Sequence, residues 1–444
     1  MEIDTGNTAW LLLSSALVLL MTPGLALFYG GLNRSKGALN MMMMSFSCMG
    51  LISVLWVIYG FTLAFGTNDN AGLNNVIGSF SQYFGTGTAT ISEEWLFLGA
   101  GTGIPTYAIM VFQMMFAIIT VALISGAVSD RMKFGGWILF AFAWFTLVYV
   151  PVAHWVWGGG WIGGKLHALD FAGGTAVHIN AGAAALGLIL VLGKRAGWPR
   201  ETFKPHNVPF VALGAGLLWF GWFGFNAGSE LAPDGTSALV WINTTTATCA
   251  AMLGWLVVEK LRDGHATSVG AASGVVAGLV AITPACGALS PLGSIVLGVV
   301  AGALSALAVG LKFRFGYDDS LDVVGVHLVG GLVGTIIIGF LATSEAPAGV
   351  DGLFYGGGVD QLWRQVVGAL AVLAFSFILT LVIGTVIQKT MGFRITEEEE
   401  VTGIDNVEHA ESGYDFASLG SSGSTAPLAG QARAEARSTE GVGA

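Results

Sequence analysis

The chain has 444 residues, of which 54% are hydrophobic and only 10% charged, with a mean hydropathy of +0.72. Soluble domains carry about 25% charged residues, so the composition excludes a soluble globular protein and predicts an all-α polytopic membrane protein. The formal net charge of −10 is weighted toward an acidic tail after Thr396 and indicates no nucleic-acid partner and no substrate preference.

The 66 glycines fit helices that pack backbone to backbone in lipid. Cys48, Cys249 and Cys286 lie in or beside apolar segments, with neither metal-ligand nor disulfide spacing. They read as small packing residues. The opening MEIDTGNTAW has no basic n-region and no clear cleavage site, so the first apolar run is expected to be a mature helix.

Segments long enough to cross a bilayer fall at 8–29, 39–64, 104–128, 135–153, 171–193, 208–228, 236–258, 267–285, 289–311, 321–341 and 361–388. Eleven spans are predicted, the eighth and ninth separated only by a short turn near Pro284. Basic residues follow alternate spans, and of 18 only Lys165 and Arg364 fall on the other side. The positive-inside rule then puts the N-terminus outside and the C-terminus inside. Five spans starting outside and five starting inside make two inverted repeats, a transporter plan with its site at the repeat interface. The eleventh span is an addition. Residues 1–395 form the expected transmembrane domain. Residues 396–444 form a cytosolic tail, Ser/Gly/Ala-rich from Ala417 and expected to be disordered there.

Two stretches answer each other across the halves: ALDFAGGTAVHINAG at 168–182 and YDDSLDVVGVHLVGG at 317–331. In both, Val-His ends eight residues after an aspartate, Asp170 before His178 and Asp319 before His327. A helix rises about 1.5 Å per residue, so each imidazole is expected roughly 12 Å inside its aspartate, near the middle of the membrane. Ionisable groups at that depth are functional candidates. Asp170 reads as an N-cap, and Asp318, Asp319 and Asp322 as caps of the tenth span.

Aromatic residues gather at outer helix ends. HWVWGGGW brings Trp155, Trp157 and Trp161 there, and WFGWFGFNAGS sets Ser229, Phe225 and Trp222 on one stripe. Phe112 and Phe116 share a face of the third span. An aromatic belt at the lipid interface is one reading, favoured for Trp155 and Trp161. A mouth for a small cation is the other: ring faces attract cations, and a serine hydroxyl adds an acceptor. Below it, His178 and His327 could relay a proton, fill the core as satisfied buried histidines, or ligate a haem.

AHWVWGGGW, ALDFAGGTAVHIN, FKPHNVP, GWFGFNAGS, TPACG and DVVGVH, in this order, resemble the ammonium transporter (Amt/Rhesus) family on its bacterial side, over about residues 10–416. The resemblance implies eleven transmembrane helices in two inverted five-helix halves, in a homotrimer with one pore per subunit. It implies an outer ammonium site at Phe116, Trp157 and Ser229, a gate of Phe116 and Phe225, and Trp222 lining the pore. His178 and His327 match the twin pore histidines, and Asp170 the buried structural aspartate. It further implies methylammonium as an analogue, no cofactor, and a PII-type signal protein at the cytosolic face of the cell membrane. Ala410 departs from the pattern, standing where the family often has glycine. A sensor of the same fold, signalling through its tail, is the alternative role.

Overall fold

The computed structural model describes residues 3–81 and 102–414. Among the described residues the chain is helical, with one isolated β-bridge between Met132 and Arg394. Ten helices among the described residues are long and apolar enough to cross a membrane: Thr5–Leu32, Ala38–Phe65, Thr106–Val128, Phe134–Val156, Gly174–Leu192, Val208–Glu230, Gly235–Asp263, Pro291–Phe315, Val324–Leu341 and Asp360–Thr390. The eighth expected span is the shorter apolar helix Ser268–Ile282, of 15 residues. At about 1.5 Å per residue it falls short of a 30 Å hydrocarbon layer. Its chain turns away at Thr283 and Pro284 and the next helix begins at Pro291.

Helix starts follow their capping chemistry, since the first N–H groups of a helix lack intrahelical partners. Asp4 accepts from Asn7 N–H, Asn207 from Phe210, and Asp234 from Thr236 and Ser237. Thr267 accepts from Gly270 and Ser290 from Gly293.

The two histidine stretches depart from simple helices. Gly174–Ile179 and Val324–Leu328 are wider, π-type turns that open the helices ending at Leu192 and Leu341. The residues between Asp170 and Gly174 are not helical, and Gly173 has φ 123°. A continuous helical rise of 12 Å therefore does not separate aspartate from histidine; each histidine sits in the opening turn of its helix. The two helices cross at their glycines. A Cβ on Gly182 would lie 2.5 Å from Leu328 N, and one on Gly331 would lie 3.0 Å from Gly174 O and 3.1 Å from Ile179 N. Each glycine follows its own histidine by four residues and abuts the residue just after the other histidine. The crossing is thus matched in both directions.

Only one of the three expected aspartates caps the second histidine helix. Asp319 accepts from Val323 and Val324 N–H at 3.1 and 2.8 Å. Asp318 instead pairs with Arg195 at 2.8 Å, and Asp322 with Lys312 at 2.6 Å. A cation in reach captures a carboxylate before a second cap can form. Burial and then Asp322 push the Asp319 carboxyl above the ordinary range, with Lys312 opposing.

The tail up to Tyr414 folds back on the helix-connecting loops. Thr396 and Glu399 form a capping box. Asp405 accepts from Leu39 and Asn40 N–H at 3.0 and 2.8 Å, capping the second helix from outside it. Burial raises the Asp405 carboxyl above its usual value, and those two amides pull the other way. Glu408 accepts from Phe134 N–H, and His206 meets the Tyr414 hydroxyl at 2.7 Å. The expectation of disorder from Ala417 lies outside the described residues.

Ala410 ends the helix Ile404–His409 at φ 53° and ψ 34°. That left-handed region costs an L-residue about 1 kcal/mol, and glycine far less. Ala410→Gly is expected to stabilise the folded tail by about 1 kcal/mol and to slow amide exchange over 404–411 about fivefold. Exchange as fast as in the native chain would refute this account of the cap.

Candidate functional site: an aromatic column ending in paired imidazoles

The site builds from side chains that five helices and one connection bring into line. Trp157 ends the fourth of the ten helices and donates its Nε1 proton to Asp170 O at 3.0 Å. Its ring meets Phe116 edge-on, with centroids 5.9 Å apart at 87°. Phe116 stacks on Phe225 at 4.2 Å and 26° and touches Phe112 at 5.0 Å. Phe225 lies 6.2 Å from His178, and His178 stacks on Trp222 at 5.4 Å and on His327 at 5.4 Å. The rings from Trp157 to His327 thus form one column. Aromatic pairs in such geometry contribute about 0.5–1.5 kcal/mol each beyond burial.

The aromatic-belt reading fails for the inner members, because Phe116, Phe225 and Trp222 are buried inside the chain. It fails for Trp155 too, which is 8% exposed, packs tilted against Phe375 at 4.5 Å and 51°, and donates to Val76 O. Trp157 and Trp161 are half-buried. Ser229 is half-buried at the end of its helix and donates its hydroxyl proton to Phe225 O at 2.8 Å. Its lone pairs remain available as acceptors.

At the foot of the column, Nδ1 of His327 and Nδ1 of His178 approach to 3.3 Å, both rings buried. One Nδ1 donates and the other accepts. With each ring neutral, the donor's Nε2 is then a bare acceptor and the acceptor's Nε2 carries a proton. His178 Nε2 is buried without a protein partner. The pair therefore offers one donor and one acceptor beyond itself. Beside it lies a narrow cavity of about 10 Å³, lined by both histidines, Trp222, Phe225, Val177 and Ile119 among others. Room for one water-sized molecule fits that volume. A haem macrocycle does not fit between nitrogens 3.3 Å apart. Among the described residues no cluster of three or more His, Cys, Asp or Glu could hold a metal.

Asp170 organises the connection that carries the column. Its carboxylate accepts from the N–H groups of Gly173, Gly174, Thr175 and Ala176 at 2.7–3.0 Å. One side chain thus satisfies the start of the His178 helix while its own carbonyl holds Trp157. Two further residues matter that the sequence reading passed over. Thr283 receives the Trp222 Nε1 proton at 2.8 Å and fixes that ring beside His178. Gln365 pairs with the backbone of Leu169. Thr283 opens the TPACG stretch, and Gln361 with Gln365 makes a four-residue polar repeat in an otherwise apolar helix. Those were the available signals.

A buried column of rings set among helices long and apolar enough to cross a membrane is the layout of a membrane transport protein. The chain matches the Ammonium Transporter Family over residues 9–414. It is 59% identical over 443 residues to the ammonium transporter of Mycobacterium tuberculosis (strain ATCC 25618 / H37Rv), covering 93% of this chain and 91% of the relative. It is 48% identical to that of Aquifex aeolicus (strain VF5), covering 94% and 95%. The solved structure of Saccharomyces cerevisiae Mep2 superposes with a TM-score of 0.81 at 34% identity, over 90% of this chain and 89% of that one. A structure described as a sensor Amt protein gives 0.80 at 27% identity, over 91% and 98%. The chain belongs to the Ammonium Transporter Family and is a transporter rather than an enzyme.

Removing the Asp170 carboxylate orphans four helix-start amides at once. Asp170→Ala is expected to lower stability by about 3–5 kcal/mol, and Asp170→Asn, which keeps one acceptor oxygen, by less. Thermal unfolding in detergent measures both. Native-like stability of the alanine variant would mean that the cap is dispensable.

Proposed function

We propose that the chain takes ammonium at an outer site formed by Phe116, Trp157 and Ser229, strips its proton there, and passes ammonia along the histidine-lined pore. The observation that carries the reading is the unbroken ring column from Trp157 through Phe116 and Phe225 to the imidazole pair. Ring faces attract a cation by about 0.5–2 kcal/mol when water is excluded, and the serine lone pairs add an acceptor. Phe116 and Phe225 in stacked contact act as the gate. Methylammonium, with one face still able to meet the rings, is the expected analogue.

The remaining elements of the reading follow the same pattern. Eleven transmembrane helices, with Ser268–Ile282 counted as the eighth, make two inverted halves and one added helix. The chain crosses the cell membrane several times, with its N-terminus outside and its C-terminus in the cytoplasm. Three copies assemble as a homotrimer. The inner face, where the tail from residue 396 folds over basic loops, receives a PII-type signal protein.

Ammonium and potassium currents in proteoliposomes test the pore. Trp157→Leu is expected to weaken apparent ammonium affinity about two- to thirtyfold without loss of folding. His178→Gln and His327→Gln keep volume and a donor–acceptor pair but remove the titratable nitrogen, so the proton-coupled current is expected to fall. His178→Asp places an acidic group in the pore and is expected to admit potassium. Wild-type current in both glutamine variants, with no potassium flux in the aspartate variant, would sink the histidine role.

A further inference from the structure

The helix Asp360–Thr390 stands outside the two matched halves, yet its first turns carry a polar stripe. Gln361, Arg364 and Gln365 lie on one face and all reach the connection ahead of Asp170. Arg364 Nη1 donates to Leu166 O at 2.9 Å, and Gln361 Nε2 to His167 O at 3.4 Å. Gln365 makes the closest hold. Its Oε1 accepts from Leu169 N–H at 2.6 Å, and its Nε2 donates to Leu169 O at 2.8 Å. One primary amide thereby satisfies both backbone polar groups of a single residue. Its Nε2 also reaches Thr335 O at 3.1 Å, and Gln361 Nε2 donates to its Oε1 at 2.9 Å. The side chain is 0% exposed. A leucine would fill this space without any polar group to satisfy, so volume alone does not account for an amide here.

We infer that Gln365 is a positioning residue for the pore: by pairing with Leu169 it fixes the Asp170 peptide, from which both Trp157 and the His178 helix are hung. The inference rests on the roles proposed above for Trp157 and His178. The chain of bonds is short. Gln365 holds Leu169, the next residue's carbonyl holds Trp157 Nε1, and the same residue's carboxylate holds Gly173 to Ala176. The second half solves the matching problem with other chemistry. Arg131, buried, donates to Asp318 O at 2.7 Å and to Ser320 Oγ at 2.6 Å, on both sides of Asp319. That guanidinium has Asp318 and its partners nearby to balance it. Leu169 presents both an N–H and a C=O, and a primary amide can accept from one and donate to the other, which a guanidinium with donors alone cannot do.

Three variants in lipid nanodiscs and proteoliposomes test this. Gln365→Leu keeps volume and removes the pairing. Gln365→Glu keeps an acceptor and loses both donated bonds. Trp363→Leu, two residues earlier and 46% exposed, is the control. Hydrogen exchange over residues 166–176 reads the hold, and the concentration dependence of ammonium current reads the site. Both Gln365 variants are expected to exchange about tenfold faster there and to raise apparent KM about tenfold, with a smaller change in maximal current. Trp363→Leu is expected to move neither. Faster exchange with a native KM, while Trp157→Leu does raise KM, would overturn the inference and leave the pore reading standing. If Trp157→Leu also leaves KM native, the pore reading fails and takes this inference with it. Unchanged exchange in both Gln365 variants would overturn the inference directly. Should both fail to accumulate, the native protein decides: a Leu169 amide exchanging like an exposed loop overturns the hold, and a slow one supports it.

Discussion

Two imidazoles in direct Nδ1–Nδ1 contact inside an apolar core constrain nearly everything around them. The helices that carry them must cross with their backbones close together, which is why Gly182 and Gly331 sit four residues beyond their histidines. The crossing also forces each helix to begin abruptly within the protein rather than at a water-facing end. Buried helix starts have no solvent to satisfy their amides. Asp170 and Asp319 supply the missing acceptors from ahead of each start. The wider opening turns then aim the rings at one another, as such turns often do at functional positions.

The end of this arrangement nearer the tail is tied to it through charge. Arg195 pairs with Asp318 at 2.8 Å and lies 3.7 Å from Asp130, which Arg34 also holds at 2.8 Å. Arg131 donates to Gly193 O, at the end of the His178 helix, as well as to the loop before His327. Burial lowers its guanidinium to about 10, with Asp318 pulling upward. From the tail, Glu400 binds Arg394 at 2.7 Å and accepts from Ala196 N–H, while Arg394 donates to Leu192 O. Removing one member of such a buried network leaves the others uncompensated, which costs more than a surface pair ever contributes. The tail therefore bears on the foot of one histidine helix and the approach to the other through a few contiguous bonds.

Much of this was legible in the residues because hydrophobic length and a repeated Asp-to-His spacing are one-dimensional signals. The paired histidines, the Asp170 cap and the Ser229–Phe225–Trp222 stripe all came from such spacing. What spacing could not carry was the interruption of regular helix. Nothing in ALDFAGGTAVHINAG states that residues 171–173 leave the helix or that the next turn widens, since both follow from contacts with the other half. The short helix Ser268–Ile282 was obscured because TPACG is apolar enough to pass for membrane-spanning sequence. Asp318 and Asp322 were misassigned as caps for a related reason: Arg195 and Lys312 lie far away in sequence or across a turn, and proximity to a cation decided the outcome. Gln365 escaped notice because its partner is a backbone group 196 positions away.

The cavity beside the imidazoles explains why the column ends as it does. It has room for about one small molecule, its walls are apolar apart from the two rings, and no carboxylate lines it. A charge entering such a space would lose its hydration with nothing fixed to replace it. A small neutral hydride would lose little, because the imidazole pair presents one donor and one acceptor and holds its own internal hydrogen bond meanwhile. Higher up, Trp157 is half-buried and Ser229 keeps its lone pairs, and the proposed reading puts the cation there. On that reading, the two ends of the column favour different charge states of the same nitrogen compound. Under the proposed reading, the stacked Phe116 and Phe225 mark the boundary between them.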